Sequence, residues 1–342
     1  MVYNAEGSAV LMGVKTQEGI PLSNSTDGIS SWAVAEFGRS GAKQWLAGEP
    51  RLTRLADGGV RVVAPAKVNL TLWVGACRTD GYHQIESIVA TISLADRLTI
   101  HPASRGCKLT CTNSKLSCDS SNLVIRAAKA LAERVGKKAH LRLHLEKNIP
   151  IGAGLGGGSS DAAACLLALS NLWTIGYGSS QLGEIGAEIG SDVPLFLDGP
   201  LAVVRGRGEL VEPLGFDWPF WAVLVCPPFP VETAAVYGKF DELLTGKAEE
   251  VRIEGCQLGS HKPESVGVAM FNMLEPAACE VLPQLAVWRE ALLAAGAASV
   301  QLCGSGSALL CLFNSLAGAR ELVGRLSQPL RAWAQVVHGG HR

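Results

Sequence analysis

The chain has 342 residues, more than one small core can use, and its length points to two domains. It is 48% hydrophobic and carries 30 Lys+Arg against 31 Asp+Glu, a formal net charge of −1. That balance excludes a basic nucleic-acid footprint and an acidic tail, and no apolar run approaches the roughly 18 residues of a membrane helix.

Residues 1–57 are rich in Gly, Ser and Thr with weak periodicity and read as a partly ordered extension. Their start lacks a charged segment followed by an apolar core. Glu6, Glu18, Asp27, Glu36, Glu49 and Asp57 are also out of keeping with an acid-poor transit peptide, so a cytoplasmic location is expected. Ten cysteines occur without a CxxC pair, which fits free thiols in a reducing compartment better than a zinc site.

From Val60 the pattern sharpens. GVRVVAPAKVNLTLWV predicts two strands interrupted at Pro65, and RTDGYH a turn at Asp80-Gly81. IESIVATISL and DRLTIHP read as two further strands. Residues 121–135 carry apolar side chains at helical spacing, with Ser121 or Asn122 as the cap. LRLHLE, 141–146, alternates and predicts a half-buried strand. PIGAGLGGGSSDAA follows, and DAAACLLALSNLW then has helical composition, so the local order is strand, glycine loop, helix. A short helix over 181–190 precedes GSDVPLFL. Pro-rich DWPF and CPPFP beyond about residue 215 mark a seam between domains over 58–215 and 216–342. The remainder alternates strands (WAVLVCP, SVQLCGS, ALLCLF) with helices near 233–245, 281–295 and 316–326.

The glycine loop admits several readings. Gly152, Gly154 and Gly157 satisfy G-x-G-x-x-G, but no second strand ends in an acidic residue about 20 positions on, as a dinucleotide site requires. No lysine follows the last glycine, so the Walker pattern fails. A linker would not sit tightly between an alternating strand and a helix. What remains is an anion nest, in which main-chain N–H groups face phosphate at the positive end of a helix, with Ser159 and Ser160 adding hydroxyls.

Three stretches in order resemble the motifs of the GHMP small-molecule kinases: PAKVNLTL at 65–72, the loop from Lys147 through GLGGGSSDAAA, and LCGSGSALLCLF at 302–313. RTDGYHQIESI, GSDVPLFL and FPVETAAVY narrow the resemblance to members acting on 4-diphosphocytidyl-2-C-methyl-D-erythritol in non-mevalonate isoprenoid biosynthesis. A homoserine, mevalonate or sugar kinase is the alternative within the family. A non-catalytic sensor on the same fold is a third reading. Thr71 and Thr79 depart from the usual pattern, as does the extension. The resemblance implies a two-domain α+β fold, with an N-terminal domain like domain 2 of ribosomal protein S5 and a ferredoxin-like C-terminal domain.

It also implies roles. Asp192 in GSDVP matches the catalytic base that takes the proton of a tertiary hydroxyl, and Lys67 the lysine that keeps that base ionised. Lys147, Pro150, Ile151, Gly152, Ala153, Gly154, Leu155, Gly156, Gly157, Gly158, Ser159 and Ser160 match the ATP-binding segment, Lys147 being otherwise a surface lysine. Asp161 either caps the helix or serves ATP. Tyr82, His83, Tyr237 and Thr233 match the substrate's cytidine end, and Asn69, on the strand face of Lys67, its hydroxyls. Gly304, Ser305 and Gly306 either buttress the cleft or approach phosphate. ATP is the expected donor, accompanied by Mg²⁺ with no identifiable carboxylate ligand. Small molecules are the expected partners, with no nucleic acid or membrane, and a monomer or homodimer is expected.

Overall fold

The computed structural model describes residues 51–244, 258 and 260–340. The reading of residues 1–50 as a partly ordered extension lies outside them. Residues 52–54, assigned to the same extension, pair with the sheet as its first strand.

The strands are β1 (Leu52–Arg54), β2 (Val60–Asn69), β3 (Thr71–Cys77), β4 (His83–Pro102), β5 (Cys107–Cys111), β6 (Leu141–Glu146), β7 (Leu201–Gly206), β8 (Leu210–Pro213), β9 (Phe220–Val225), β10 (Phe271–Asn272), β11 (Gln301–Leu302), β12 (Leu309–Phe313) and β13 (Ala334–Gly339). The helices are α1 (Leu123–Arg134), α2 (Gly157–Leu172), α3 (Ser179–Ile189), α4 (Leu195–Asp198), α5 (Thr233–Leu243), α6 (Pro263–Ala269), α7 (Glu275–Val281), α8 (Gln284–Ala294) and α9 (Leu316–Arg325). This is the expected α+β composition. Asn122 caps α1, its side chain accepting from Val124 N at 2.9 Å.

The spine is β4. One edge pairs with β2 and β3, the other with β7, β13 and β6. Two strands were expected where this single 20-residue strand runs. The strand continues through Ala95, the boundary between those two readings, and every residue from Glu86 to Asp96 is buried. The break expected at Pro65 also falls elsewhere. β2 runs through Pro65, where the β2–β4 register shifts, and the chain turns at Leu70 instead. A proline at a bulge forfeits little, since the ladder is already interrupted there.

The central path runs β1-β2-β4-β13-β9-β12-β11 without a break at residue 215. One apolar core packs α1, α2 and α3 against β2, β4 and β6, with Leu131, Leu143, Leu166 and Phe196 all buried. The other draws Val68, Leu70 and Ile92 together with Trp218, Phe220, Leu310 and Val337, from both sides of residue 215.

Candidate active site

The loop 150–156 gets its shape from glycines that no other residue could replace cheaply. Gly152, Gly154 and Gly156 have φ of +71°, +76° and +67°, a region costly for L side chains. A Cβ on Gly154 would lie 2.1 Å from Cys303 O, and one on Gly156 would lie 2.9 Å from Lys67 Cγ. Leu155 O accepts from Lys67 N at 3.0 Å, and Ala153 O from Ala308 N at 3.2 Å. The first, second and third motifs are thereby stitched together by main chain. α2 starts at Gly157 behind a left-handed Gly156 with no side-chain cap, so its first N–H groups are available to a ligand.

The sequence reading of the loop needs two refinements. Ser159 lines the cavity, but Ser160 is fully buried and its Oγ has no partner among the described residues. Asp161 is no cap. It lies a full turn inside α2, completely buried, and its Oδ2 accepts from Lys147 Nζ at 2.9 Å. Lys147 also pairs with Asp96 on β4, and its side chain is only 3% exposed. Asp96 Oδ1 in turn accepts from Asn148 N at 2.5 Å and Ile149 N at 2.9 Å. The lysine expected near the nucleotide thus ties the loop's entry to β4 and α2. Burial pulls its pKa down, but the two carboxylates outweigh this and leave it above the ordinary lysine value. Burial pushes Asp161 well above the carboxylate range, with Lys147 opposing it.

Strand alternation places Lys67 and Asn69 together, as expected: Lys67 Nζ donates to Asn69 Oδ1 at 2.6 Å. Asn69 Nδ2 donates to Ser87 Oγ at 2.8 Å, which fixes the amide. Asp192 stands in the turn between α3 and α4, held by the buried Val193. Gly208 (φ +118°) abuts it, since a Cβ there would lie 3.1 Å from Asp192 Oδ1.

The expected substrate corner assembles from distant segments. His83, at the start of β4, is buried, with Nδ1 2.8 Å from Gly75 O. Its ring lies 5.0 Å from that of Tyr237 on α5. Burial, then the negative charge of Asp192, pushes the Tyr237 hydroxyl up to about 12, so it remains protonated at neutral pH. Thr233 Oγ1 shares a 2.9 Å hydrogen bond with Ser305 Oγ, which joins α5 to the third motif. Tyr82 is half exposed beneath the Arg207 guanidinium, 5.2 Å from its ring centroid. Asp96, Arg207 and Asp241 were missed by the sequence reading. Asp241 approaches His83 Nε2 at 3.5 Å and follows Thr233 and Tyr237 at i+8 and i+4 on one helix face, the only sequence signal it offered.

Lys67, Asn69, Asp192, the glycine loop, Tyr82, His83, Thr233, Tyr237, Gly304 and Ser305 all line one cavity of about 1030 Å³. A glycine-rich main-chain loop at a helix N-terminus, a carboxylate, an ammonium and an aromatic corner therefore share a single space. Cys303, behind the loop, is buried, and that burial pushes its thiol up to about 12.

Residues 122–200 match the GHMP kinases N terminal domain, and residues 255–332 the GHMP kinases C terminal domain. A 4-diphosphocytidyl-2-C-methyl-D-erythritol kinase from Pelotomaculum thermopropionicum is 39% identical over 78% of this chain and 93% of its own. A crystal structure of 4-(cytidine 5′-diphospho)-2C-methyl-D-erythritol kinase superposes with a TM-score of 0.67 at 37% identity, covering 82% of this chain and 99% of that one. A homoserine kinase from Cytophaga hutchinsonii, at 18% identity and a TM-score of 0.65, over 84% of this chain and 96% of its own, shares the fold.

Proposed function

The chain belongs to the GHMP kinases, and we propose that it transfers the γ-phosphoryl group of ATP to the C2 hydroxyl of 4-diphosphocytidyl-2-C-methyl-D-erythritol. The observation that carries this reading is the shared cavity, with an anion nest at one end and the Tyr82–His83–Tyr237 corner at the other.

In this reading the glycine loop and the N-terminus of α2 hold the triphosphate through main-chain N–H groups. Asp192 accepts the hydroxyl proton as the C2 oxygen bonds to the γ-phosphorus and the bond to the β,γ-bridging oxygen breaks, releasing ADP. Lys67, steered by Asn69, supplies positive charge where the alkoxide develops. The aromatic corner fixes the far end of the acceptor and so the position of the hydroxyl.

No group of three or more acidic, Cys or His side chains among the described residues is arranged to hold a metal. Mg²⁺ fits this chain as a companion of ATP, held mainly by phosphate oxygens, with Ser159 and the unbonded Oδ1 of Asp161 as the polar groups present beside the loop. When bound it neutralises phosphate charge. The reading places the enzyme in the cytoplasm, as a monomer or homodimer. No helix among the described residues is long and apolar enough to cross a membrane.

The test is ADP release in a coupled assay, with the diphosphocytidyl acceptor and with homoserine. Turnover of the first alone is expected, and turnover of homoserine alone overturns the reading. Asp192→Asn is expected to lose roughly 10²–10⁴-fold in kcat. Undiminished kcat removes Asp192 from the mechanism.

A further inference from the structure

Among the described residues, three cationic side chains line the cavity: Lys67, Lys147 and Arg207. Lys147 is neutralised by Asp96 and Asp161, and Lys67 is turned toward Asn69 between the first and second motifs. Arg207 has no such engagement. Among the described residues no carboxylate lies within ion-pair distance of its guanidinium, and the nearby Asp80 pairs with Arg78 at 3.1 Å. Its contact is the face of Tyr82.

Its position is set by a rigid turn between β7 and β8. Gly206 and Gly208 both have positive φ, Gly208 N donates to Arg205 O at 3.2 Å, and Arg207 N donates to Glu209 Oε2 at 2.7 Å. The residue after Arg207 abuts Asp192, while the Arg207 head lies over Tyr82. The side chain therefore stands between the base-recognising corner and the carboxylate that receives the proton. Any acceptor that joins a nucleoside to an alcohol through a diphosphate must carry its two phosphates across that interval.

We propose that Arg207 binds the diphosphate bridge of the acceptor substrate, gripping phosphate oxygens with its guanidinium while its planar face stays stacked on Tyr82. The proposal rests on the functional reading above. Guanidinium is suited to both contacts at once, because its N–H groups lie in the plane that the ring leaves free. One residue then fixes the distance between base and reacting hydroxyl.

The test compares cytidine, CMP and CDP as competitive ligands against the acceptor, alongside steady-state kinetics, for wild type, Arg207→Gln and Arg207→Lys. In wild type CDP is expected to bind more tightly than cytidine. In Arg207→Gln that preference should shrink by roughly 10- to 30-fold, with cytidine affinity and the KM for ATP each held within about twofold. Arg207→Lys should recover part of the preference by restoring the charge. An unchanged CDP-to-cytidine ratio in Arg207→Gln, or a parallel rise in the KM for ATP, overturns the assignment. Wild-type enzyme that does not phosphorylate the diphosphocytidyl acceptor sinks the functional reading instead, so the two failures are distinct.

Discussion

The two ends of the cavity are built from different materials. The glycine-loop end, to which the proposed function assigns the ATP phosphates, is main chain: three left-handed glycines, a bare helix N-terminus, and a buried Asp96–Lys147–Asp161 brace behind them. The end proposed for the acceptor is side chain: Tyr82 and Asp241 are exposed, Tyr237 is half-buried, and Arg207 contacts an aromatic face. On that reading, a ligand common to many enzymes is met by geometry that few substitutions can reach. A ligand particular to one enzyme is met by groups that mutation can exchange singly without disturbing the fold. Changes at the first end should therefore appear mainly as lost stability, and changes at the second as lost affinity.

The largest expected effect breaks the brace. Lys147→Met leaves Asp96 and Asp161 buried without their shared cation, and about 3–5 kcal/mol of folding stability should disappear in denaturant titration. A variant as stable as wild type would show that the brace is dispensable. Gly154→Ala comes next. Its new Cβ would meet Cys303 O at 2.1 Å in a backbone conformation alanine resists, for a loss of about 2–4 kcal/mol together with weakened ATP binding. Gly158→Ala sharpens the contrast in the adjoining first turn of α2, because its Cβ meets only Leu123 Cδ1 at 3.6 Å and stability should stay within about 1 kcal/mol. Similar melting points for the two variants would contradict a loop held by main-chain contact.

At the other end, His83→Ala should raise the KM of the acceptor about tenfold and leave that of ATP within about twofold. An equal rise in both would dissolve the distinction between the ends. The smallest effect lies away from the cavity. The hydrogen bond from His101 holds Asp57 below its ordinary value, so its contribution is present above a pH of about 4 and is lost as pH falls through the depressed folded value. The melting-point advantage of wild type over Asp57→Asn should accordingly narrow from pH 7 toward pH 3. A constant gap would mean the pair contributes nothing through its charge.

The strand, glycine loop and helix were legible in the sequence because glycines at fixed spacing between an alternating strand and a helix admit few conformations. Asp96 was not, because a charged residue inside an apolar run looks like the boundary between two strands. Its partners, Lys147 and the N–H groups of Asn148 and Ile149, lie more than 50 residues away. The same remoteness hid Arg207 and Asp241, whose meaning comes from Tyr82 and His83 across the chain. Lys67 and Asn69 were paired correctly because alternation along one strand is a local rule.

The second apolar core, filled from both sides of residue 215, bears on how this chain could be divided. A fragment ending there would expose Val68, Leu70 and Ile92 along an unfinished sheet edge, and its complement would strand Trp218, Phe220 and Val337 in water. The halves are thus obligate companions, suited to split-protein reassembly in one tube and unsuited to life as exchangeable modules.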